Sequence, residues 1–160
     1  MLEITTGHAG VTDLAVSIAV RAVVSRVSEA AVLVDDQVVG MLEGPGLLVL
    51  LGITHDDGAA QAEVMARKLH ELRILRAEQS IADTGAGVLV VSQFTLYGST
   101  RKGRRPSFTA AARPEHARQL IDEVVGLLRA RGATVSTGRF GATMAVRSTA
   151  DGPFTVLIDV

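Results

Sequence analysis

The apolar, largely β-branched segment Gly87–Val91 constrains the fold of this 160-residue chain more than any other feature. Such a segment predicts a strand that is buried on both faces of a sheet. We expect the strand to continue to Leu96, although the chain becomes polar at Ser92 and basic at Arg101. The sequence therefore predicts a central strand that holds a polar segment at its end.

The rest of the chain alternates strand patterns with two amphipathic helical patterns. Further strands are predicted at Val20–Val27, Ala30–Val34, Val38–Leu42, Leu47–Ile53, Val135, Ala142–Val146 and Phe154–Ile158. Asp56 or Asp57 is expected to cap the first helix, and the second should begin at Pro114 and stop before Gly132. Residues Gln79–Gly85 are predicted to form a loop.

This pattern predicts one α+β domain over residues 19–160, a curved, barrel-like antiparallel or mixed sheet with two main helices packed on it. Residues 1–18 form an N-terminal extension for which an ordered strand, a disordered tail and a wrongly chosen start codon all remain open. The region has no signal-peptide pattern, and no stretch of the chain reaches membrane-spanning length. The absence of cysteine is compatible with a reducing cytosol, and we expect a cytoplasmic protein without membrane contact.

Positive charge is concentrated in one part of the chain, although the net charge is −1. Residues 101–118 carry Arg101, Lys102, Arg104, Arg105, Arg113 and Arg118 against the single acid Glu115. This asymmetry indicates limited contact with phosphates, such as those at one end of an RNA, or else a solvated surface loop. All five aromatic residues lie after residue 93, which favours a binding surface in the second half of the chain.

Familiar catalytic and metal-binding patterns are scarce. The four histidines, His8, His55, His70 and His116, lack metal-ligand spacing, and structural or surface roles are favoured for His70 and His116. Without cysteine the chain has no thiolate nucleophile. We therefore expect neither a metal nor another cofactor.

The segment Asp151-Gly152-Pro153 admits two interpretations. A Gly-Pro pair between two strands normally forms a turn. A cis bond at Gly152-Pro153 would instead make a rigid device that turns main-chain carbonyls outward, where they can accept a hydrogen bond from a substrate amino group.

Several motifs together resemble the D-aminoacyl-tRNA deacylase family of the bacterial dimeric type. The motifs are Arg21–Val27, Leu50–His55, Ser92–Phe108, Gly138–Ala142 with Met144, and Asp151–Pro153. The resemblance extends from about Val20 to Val160.

The resemblance implies a homodimer that hydrolyses the ester between a D-amino acid and the terminal adenosine of tRNA, and that also accepts glycyl-tRNA. It implies a catalytic pocket made of Ser92, Gln93, Phe94 and Thr95. A cis Gly152-Pro153 pair, oriented by Arg26, would enter the partner's site and exclude L side chains.

The resemblance also assigns substrate contacts to Phe140 and Met144. Contacts with the tRNA backbone would fall to Arg101, Lys102, Arg104 and Arg105.

An aminoacyl ester is already activated, so positioning and stabilisation of the oxyanion suffice for its hydrolysis. We expect Thr95 to position the substrate, with water attacking and the RNA 2′-hydroxyl assisting, because no base is evident that would make Thr95 a nucleophile. Two alternatives remain, a non-catalytic RNA-binding protein with the same fold and an esterase for free small molecules.

Overall fold

The computed structural model describes residues 19–160, and the extension predicted at residues 1–18 lies outside them. The described strands and helices are β1 (Arg21–Val34), β2 (Gln37–Met41), β3 (Gly46–Gly52), α1 (Ala59–Glu71), α2 (Ile81–Thr84), β4 (Gly87–Ser92), α3 (Pro114–Ala130), β5 (Val135–Thr137) and β6 (Ala145–Asp159). Short 3-10 helices lie at Arg76–Glu78 and Phe94–Tyr97. This is a single α+β domain, as predicted.

The six strands form one mixed sheet that nearly closes into a barrel. The long strand β1 pairs antiparallel with β3 along its first half, with β2 along its second half, and with β6 along its opposite edge. Strands β4 and β5 continue the sheet in parallel from β3. Strand β2 lies so close to β5 that a Cβ on Gly40 would fall 2.1 Å from the carbonyl oxygen of Thr137.

The central strands are buried on both faces because successive side chains point in opposite directions. Leu47, Val49, Val88 and Val90 belong to a core beneath α1 and α3. Alternating side chains, which include Leu48, Leu89 and Val91, belong to a second core on the other face. The prediction of a buried strand at Gly87–Val91 is therefore confirmed.

Both main helices lie where their apolar periodicity predicts. Helix α1 buries Ala62, Met65, Ala66 and Leu69, and α3 buries Ala117, Leu120, Ile121, Val124, Val125 and Leu128. Helix α3 begins at Pro114, and the left-handed Gly132, with a φ of 88°, follows its end. The predicted start and stop of this helix are confirmed.

The prediction that Asp56 or Asp57 caps α1 is wrong. The N-cap residue is Gly58, whose N–H donates to Oε1 of Gln61 over 2.9 Å. The Asp57 carboxylate instead points inward, accepts the backbone N–H groups of Val20 (3.0 Å) and Thr54 (2.7 Å), and is only 4% exposed. Burial raises the pKa of this carboxyl, and the two backbone donors oppose the rise.

The structure corrects the strand expected to reach Leu96. Strand β4 ends at Ser92, and the chain then turns into the 3-10 helix Phe94–Tyr97. Its parallel partner β3 ends at Gly52. Beyond Ser92, the Gln93 N–H still donates to the Leu51 carbonyl over 2.8 Å. Without a longer partner, the ladder has no further hydrogen bonds to hold residues 94–96 extended.

Two other local predictions are also wrong. The loop expected at Gln79–Gly85 contains α2, where Ser80 Oγ accepts the Asp83 N–H and Asp83 Oδ2 accepts the Ser80 N–H. The two strands expected at Ala142–Val146 and Phe154–Ile158 are replaced by the single strand β6, so Gly152-Pro153 lies within a strand and not at a turn between two strands. Antiparallel pairing with β1 on both sides of the pair keeps β6 continuous.

Candidate active site

A cavity of about 480 Å³ opens at the carboxyl end of β4, between the sheet and the start of α3. Its floor is apolar and includes Leu51 and Ile121, while Ser92 and Gln93 bring polar groups to one side. Ligands commonly bind beyond the carboxyl ends of parallel strands, where side chains converge on a rigid frame.

The polar side of the cavity is positioned by the end of the β3–β4 ladder. Ser92 is the last residue of β4 and pairs with Leu51. The side-chain amide Nε2 of Gln93 hydrogen-bonds to Oγ1 of Thr95, which lies exposed on the following 3-10 helix. Ser92, Gln93 and Phe94 line the cavity, whereas Thr95 lies beside it.

Aromatic rings flank the cavity. The Phe94 and Phe108 rings meet edge to face, with centroids 5.3 Å apart and an interplanar angle of 69°. They are nevertheless 56% and 39% exposed. Gly98 permits this pairing, because a Cβ there would lie 2.9 Å from the Phe108 ring. Phe140 also lines the cavity.

The sequence did not single out every residue that lines the cavity. Phe108 belonged to a recognised motif without an assigned role, and Arg113 and Pro114 were noted only for charge and for helix initiation. These residues and Ala117 contribute to the lining of the same cavity. The buried stripe of α3 was the available signal, because it indicated which side of that helix faces the sheet.

The basic residues predicted to contact tRNA lie in a loop that is closed at its base by two backbone hydrogen bonds between Ser99 and Ser107, of 2.8 and 2.9 Å. Arg101, Lys102, Arg104 and Arg105 are all exposed. Arg101 lines a second depression of about 510 Å³, together with Arg21 and Tyr97. The residues that are predicted to contact phosphates thus lie beside the cavity and do not line it.

The second conspicuous motif, Gly152-Pro153, lies exposed on β6 with its peptide bond in the cis form. Arg26 approaches the segment from β1. Its Nε donates to the Asp151 carbonyl over 2.9 Å, and its guanidinium lies 4.8 Å from the centre of the Phe154 ring.

The Asp151 carboxylate also pairs with Arg76, a residue that the sequence did not single out. The hydrogen bond from Arg76 is the main reason that the pKa of Asp151 lies below its ordinary value. The positive charges of Arg76 and Arg26 lower it further, against an opposing effect of burial.

Met144 lies apart from the cavity. It packs against the core cluster that contains Leu89 and Val91, and a Cβ on Gly138 would lie 2.7 Å from its sulfur. The structure therefore brings Ser92, Gln93, Phe94 and Phe140 to one cavity, but Arg26, Met144, Gly152 and Pro153 do not line it.

Two histidines make structural contacts, and for His116 the sequence favoured such a role. His116 Nε2 hydrogen-bonds with the Asp57 carbonyl, and His55 Nε2 with the Thr109 carbonyl. Across residues 19–160, the structure shows no cluster of three or more side chains suited to hold a metal ion. In the same part of the chain, no helix combines the length and apolar character needed to cross a membrane.

Comparison with known proteins identifies the family. A family model described as D-Tyr-tRNA(Tyr) deacylase matches residues 23–159. The D-aminoacyl-tRNA deacylase of Kineococcus radiotolerans is 60% identical over 139 residues, which cover 87% of this chain and 99% of that protein. The one from Streptomyces coelicolor is 59% identical over 140 residues, which cover 88% and 99%.

The chain belongs to the D-aminoacyl-tRNA deacylase family. The deacylase is accordingly a hydrolase, and its relatives are named D-aminoacyl-tRNA deacylases.

Solved structures agree with this fold. The deacylase is similar to a structure described as c-Myc DNA Unwinding Element Binding Protein, with a TM-score of 0.81, 35% identity, and coverage of 88% of this chain and 98% of that one. A probable eukaryotic D-amino acid tRNA deacylase has a TM-score of 0.80 at 20% identity, with coverage of 89% and 100%. The latter similarity concerns the fold alone.

Proposed function

We propose that this deacylase hydrolyses the esters of D-aminoacyl-tRNA and glycyl-tRNA in the cytoplasm, as a homodimer. In this proposal, Gly152 and Pro153 of each protomer complete the cavity of the other and exclude L side chains. The observation that carries the proposal is the separation, within one protomer, of the Gly152-Pro153 pair from the Ser92 cavity.

The strand register shows how large this separation is. Gly152 lies in the part of β6 that is opposite Arg26 of β1. Arg26 pairs with Leu47 of β3, and Leu47 pairs with Val88 of β4. The path from β6 to β4 crosses three strand spacings, or about 14 Å along the sheet. Ser92 lies four residues further along the ladder, or about 13 Å. A second protomer offers a direct way to bring the two motifs together.

Strand β6 offers a surface for such a partner. Among residues 19–160 it pairs only with β1, so its other edge carries backbone donors and acceptors outside the ladder. Leu157 on this strand is 69% exposed. Open strand edges with apolar side chains favour association with another chain, and a two-fold axis would make both contacts equivalent.

The residues beside the cavity suit hydrolysis of an activated ester. The first N–H groups of a helical turn have no carbonyl partner inside it, so those of Phe94 and Thr95 are candidates to stabilise the developing oxyanion. Thr95 Oγ1 is bonded to the Gln93 amide, which is not a base, and this supports a positioning role for Thr95. Water would then attack, assisted by the RNA 2′-hydroxyl.

Selection of handedness would follow from exclusion. The exposed main chain at Gly152 and Pro153 would collide with an L side chain, while its carbonyls accept hydrogen bonds from the substrate amino group. Glycine has no side chain to exclude and would be accepted. The exposed Phe94–Phe108 pair offers an apolar aromatic surface for the terminal base.

The first test uses purified protein with D-tyrosyl-, L-tyrosyl- and glycyl-tRNA. We expect hydrolysis of the D- and glycyl esters and survival of the L ester. Survival of all three would favour the non-catalytic RNA-binding alternative. Equal turnover of D-tyrosine methyl ester without tRNA would favour the small-molecule esterase.

The second test asks whether the site spans two protomers. One variant carries Gln93→Ala in the cavity and the other carries Gly152→Leu on β6. The nearest heavy atom to a Cβ on Gly152 is the Phe154 nitrogen at 3.4 Å, so a side chain there points to open space within the protomer. Each variant alone should be poorly active, but purified mixed dimers should regain about half of the wild-type activity, since one of two sites is intact. Inactive mixed dimers would exclude a shared site.

A further inference from the structure

We propose that Arg76 is a positioning residue for discrimination between D- and L-aminoacyl esters, acting through the Asp151 carboxylate on Gly152 and Pro153. This inference rests on the proposed function, in which those two residues face the partner's cavity. Arg76 would touch no reacting atom and would act only by holding the segment in place.

The segment needs contacts other than the strand ladder. Ser25 pairs with Thr155 and Val27 with Ala150, so the four residues 151–154 of β6 lie opposite Arg26 alone on β1. An irregularity of this kind interrupts the ladder and leaves the extra residues without regular pairing. Side chains must therefore determine which way residues 151–154 face.

Two arginines hold Asp151 from different parts of the fold. Arg26 on β1 donates from Nε to the Asp151 carbonyl over 2.9 Å, and the same Nε lies 3.3 Å from Oδ2 of the carboxylate. Arg76 binds both carboxylate oxygens, through Nε to Oδ2 at 2.9 Å and through a terminal nitrogen to Oδ1 at 2.5 Å. A two-point contact fixes orientation as well as distance.

The turn that carries Arg76 is itself well anchored. Ile74 and Leu75 before it are buried in the main core. The Leu75 N–H donates to the Gln79 carbonyl over 2.9 Å across the turn. Ala77 and Glu78 have φ values of 56° and 54°, a conformation that is unfavourable for residues other than glycine. Arg76 therefore connects the core beneath the helices to the exposed β6 segment.

A role in global stability does not account for this ion pair. The Arg76 side chain is 75% exposed while that of Asp151 is 18% exposed. Ion pairs exposed to solvent contribute little to the free energy of unfolding. The two-point contact between Arg76 and Asp151 does restrict the backbone next to Gly152. Selectivity between D and L esters depends on small displacements of that backbone.

The experiment compares kcat/KM for D-tyrosyl-tRNA with kcat/KM for L-tyrosyl-tRNA. Arg76→Ala should lower the D-to-L ratio about tenfold, because displacements on the order of 1 Å have effects of this size or larger in enzyme sites. Arg76→Lys retains the charge without the two-point contact and should restore part of the ratio. Arg67→Ala, which removes an exposed arginine from α1, should leave the ratio unchanged and serves as the matched control.

A double-mutant cycle tests whether Arg76 acts through Asp151. In the Asp151→Asn background, Arg76→Ala should have little further effect on the ratio. Equal effects in both backgrounds, or an unchanged ratio in Arg76→Ala alone, would overturn the inference. If Gly152→Leu changes hydrolysis but Arg76→Ala does not, the inference fails and the proposed function stands. If neither variant alters either ester's hydrolysis, both fail.

Discussion

The cavity beside Ser92 and the β6 segment Asp151–Phe154 are built by different forces. The cavity lies among the ends of β3 and β4 and the first turns of α3, so the packing of the core determines its shape. The β6 segment lies at a sheet edge, and two arginines hold it. The shape of the cavity therefore does not depend on charge, because the apolar core sets it. The orientation of the β6 segment depends on polar contacts, so it responds to the loss of a single charge and to pH.

The largest expected effect concerns the core under the cavity. Leu51 is fully buried between Ala22 and Ser92, so Leu51→Ala should lower the free energy of unfolding by about 2–5 kcal/mol, through lost burial and the void left behind. Urea denaturation measures this change. Val38→Ala, at an exposed position on β2, is the control and should change it by less than about 0.5 kcal/mol. Similar values for both would contradict the contrast between core and surface.

A smaller effect is expected at the mouth of the cavity. Phe94 is more than half exposed, so the free energy of interaction between Phe94 and Phe108 should be only about 0.5–1.5 kcal/mol. A double-mutant cycle with Phe94→Ala and Phe108→Ala, followed by urea denaturation, gives this value. A coupling of several kcal/mol would show that the pair supports the fold, contrary to a role as a surface for ligands.

The smallest effect concerns pH and the β6 segment. Because the folded-state pKa of Asp151 is lowered, chiefly by Arg76, its stabilising contribution is present above the unfolded-state pKa of about 3.9. The contribution is lost as the pH falls from there through the folded-state value. The stability difference between wild type and Asp151→Asn, measured by urea denaturation, should therefore shrink as the pH falls below about 3.9.

The buried Asp57 provides a comparison of opposite sign. Since burial raises its folded-state pKa, its ionisation disfavours the fold as the pH rises from about 3.9 through the raised value. Wild type should lose stability relative to Asp57→Asn as the pH rises over that window, whereas it should gain stability relative to Asp151→Asn as the pH rises toward about 3.9 from below. The same direction for both variants would contradict the assignment of burial to one carboxylate and of ion pairing to the other.

Sequence periodicity predicted much of the scaffold. The buried stripes of α1 and α3 and the apolar segment of β4 are confirmed, because each depends on a repeat of side chains within one element. Predictions from local sequence were wrong where another segment of the chain formed hydrogen bonds with the same side chain. Asp is a residue type that favours the N-cap position of a helix. Asp57 nevertheless accepts hydrogen bonds from Val20 and Thr54, and Gly58 is the N-cap residue.

The sequence by itself determined the class of fold and the motifs that resemble the family, since apolar periodicity and contiguous motifs are local properties of the chain. The tertiary structure alone decided that Ser92 and Phe140 share a cavity, that Gly152 lies elsewhere on the protomer, and that Arg76 reaches Asp151. The physical reason is that strand register and core packing bring together residues far apart in sequence, and no local pattern encodes these distances.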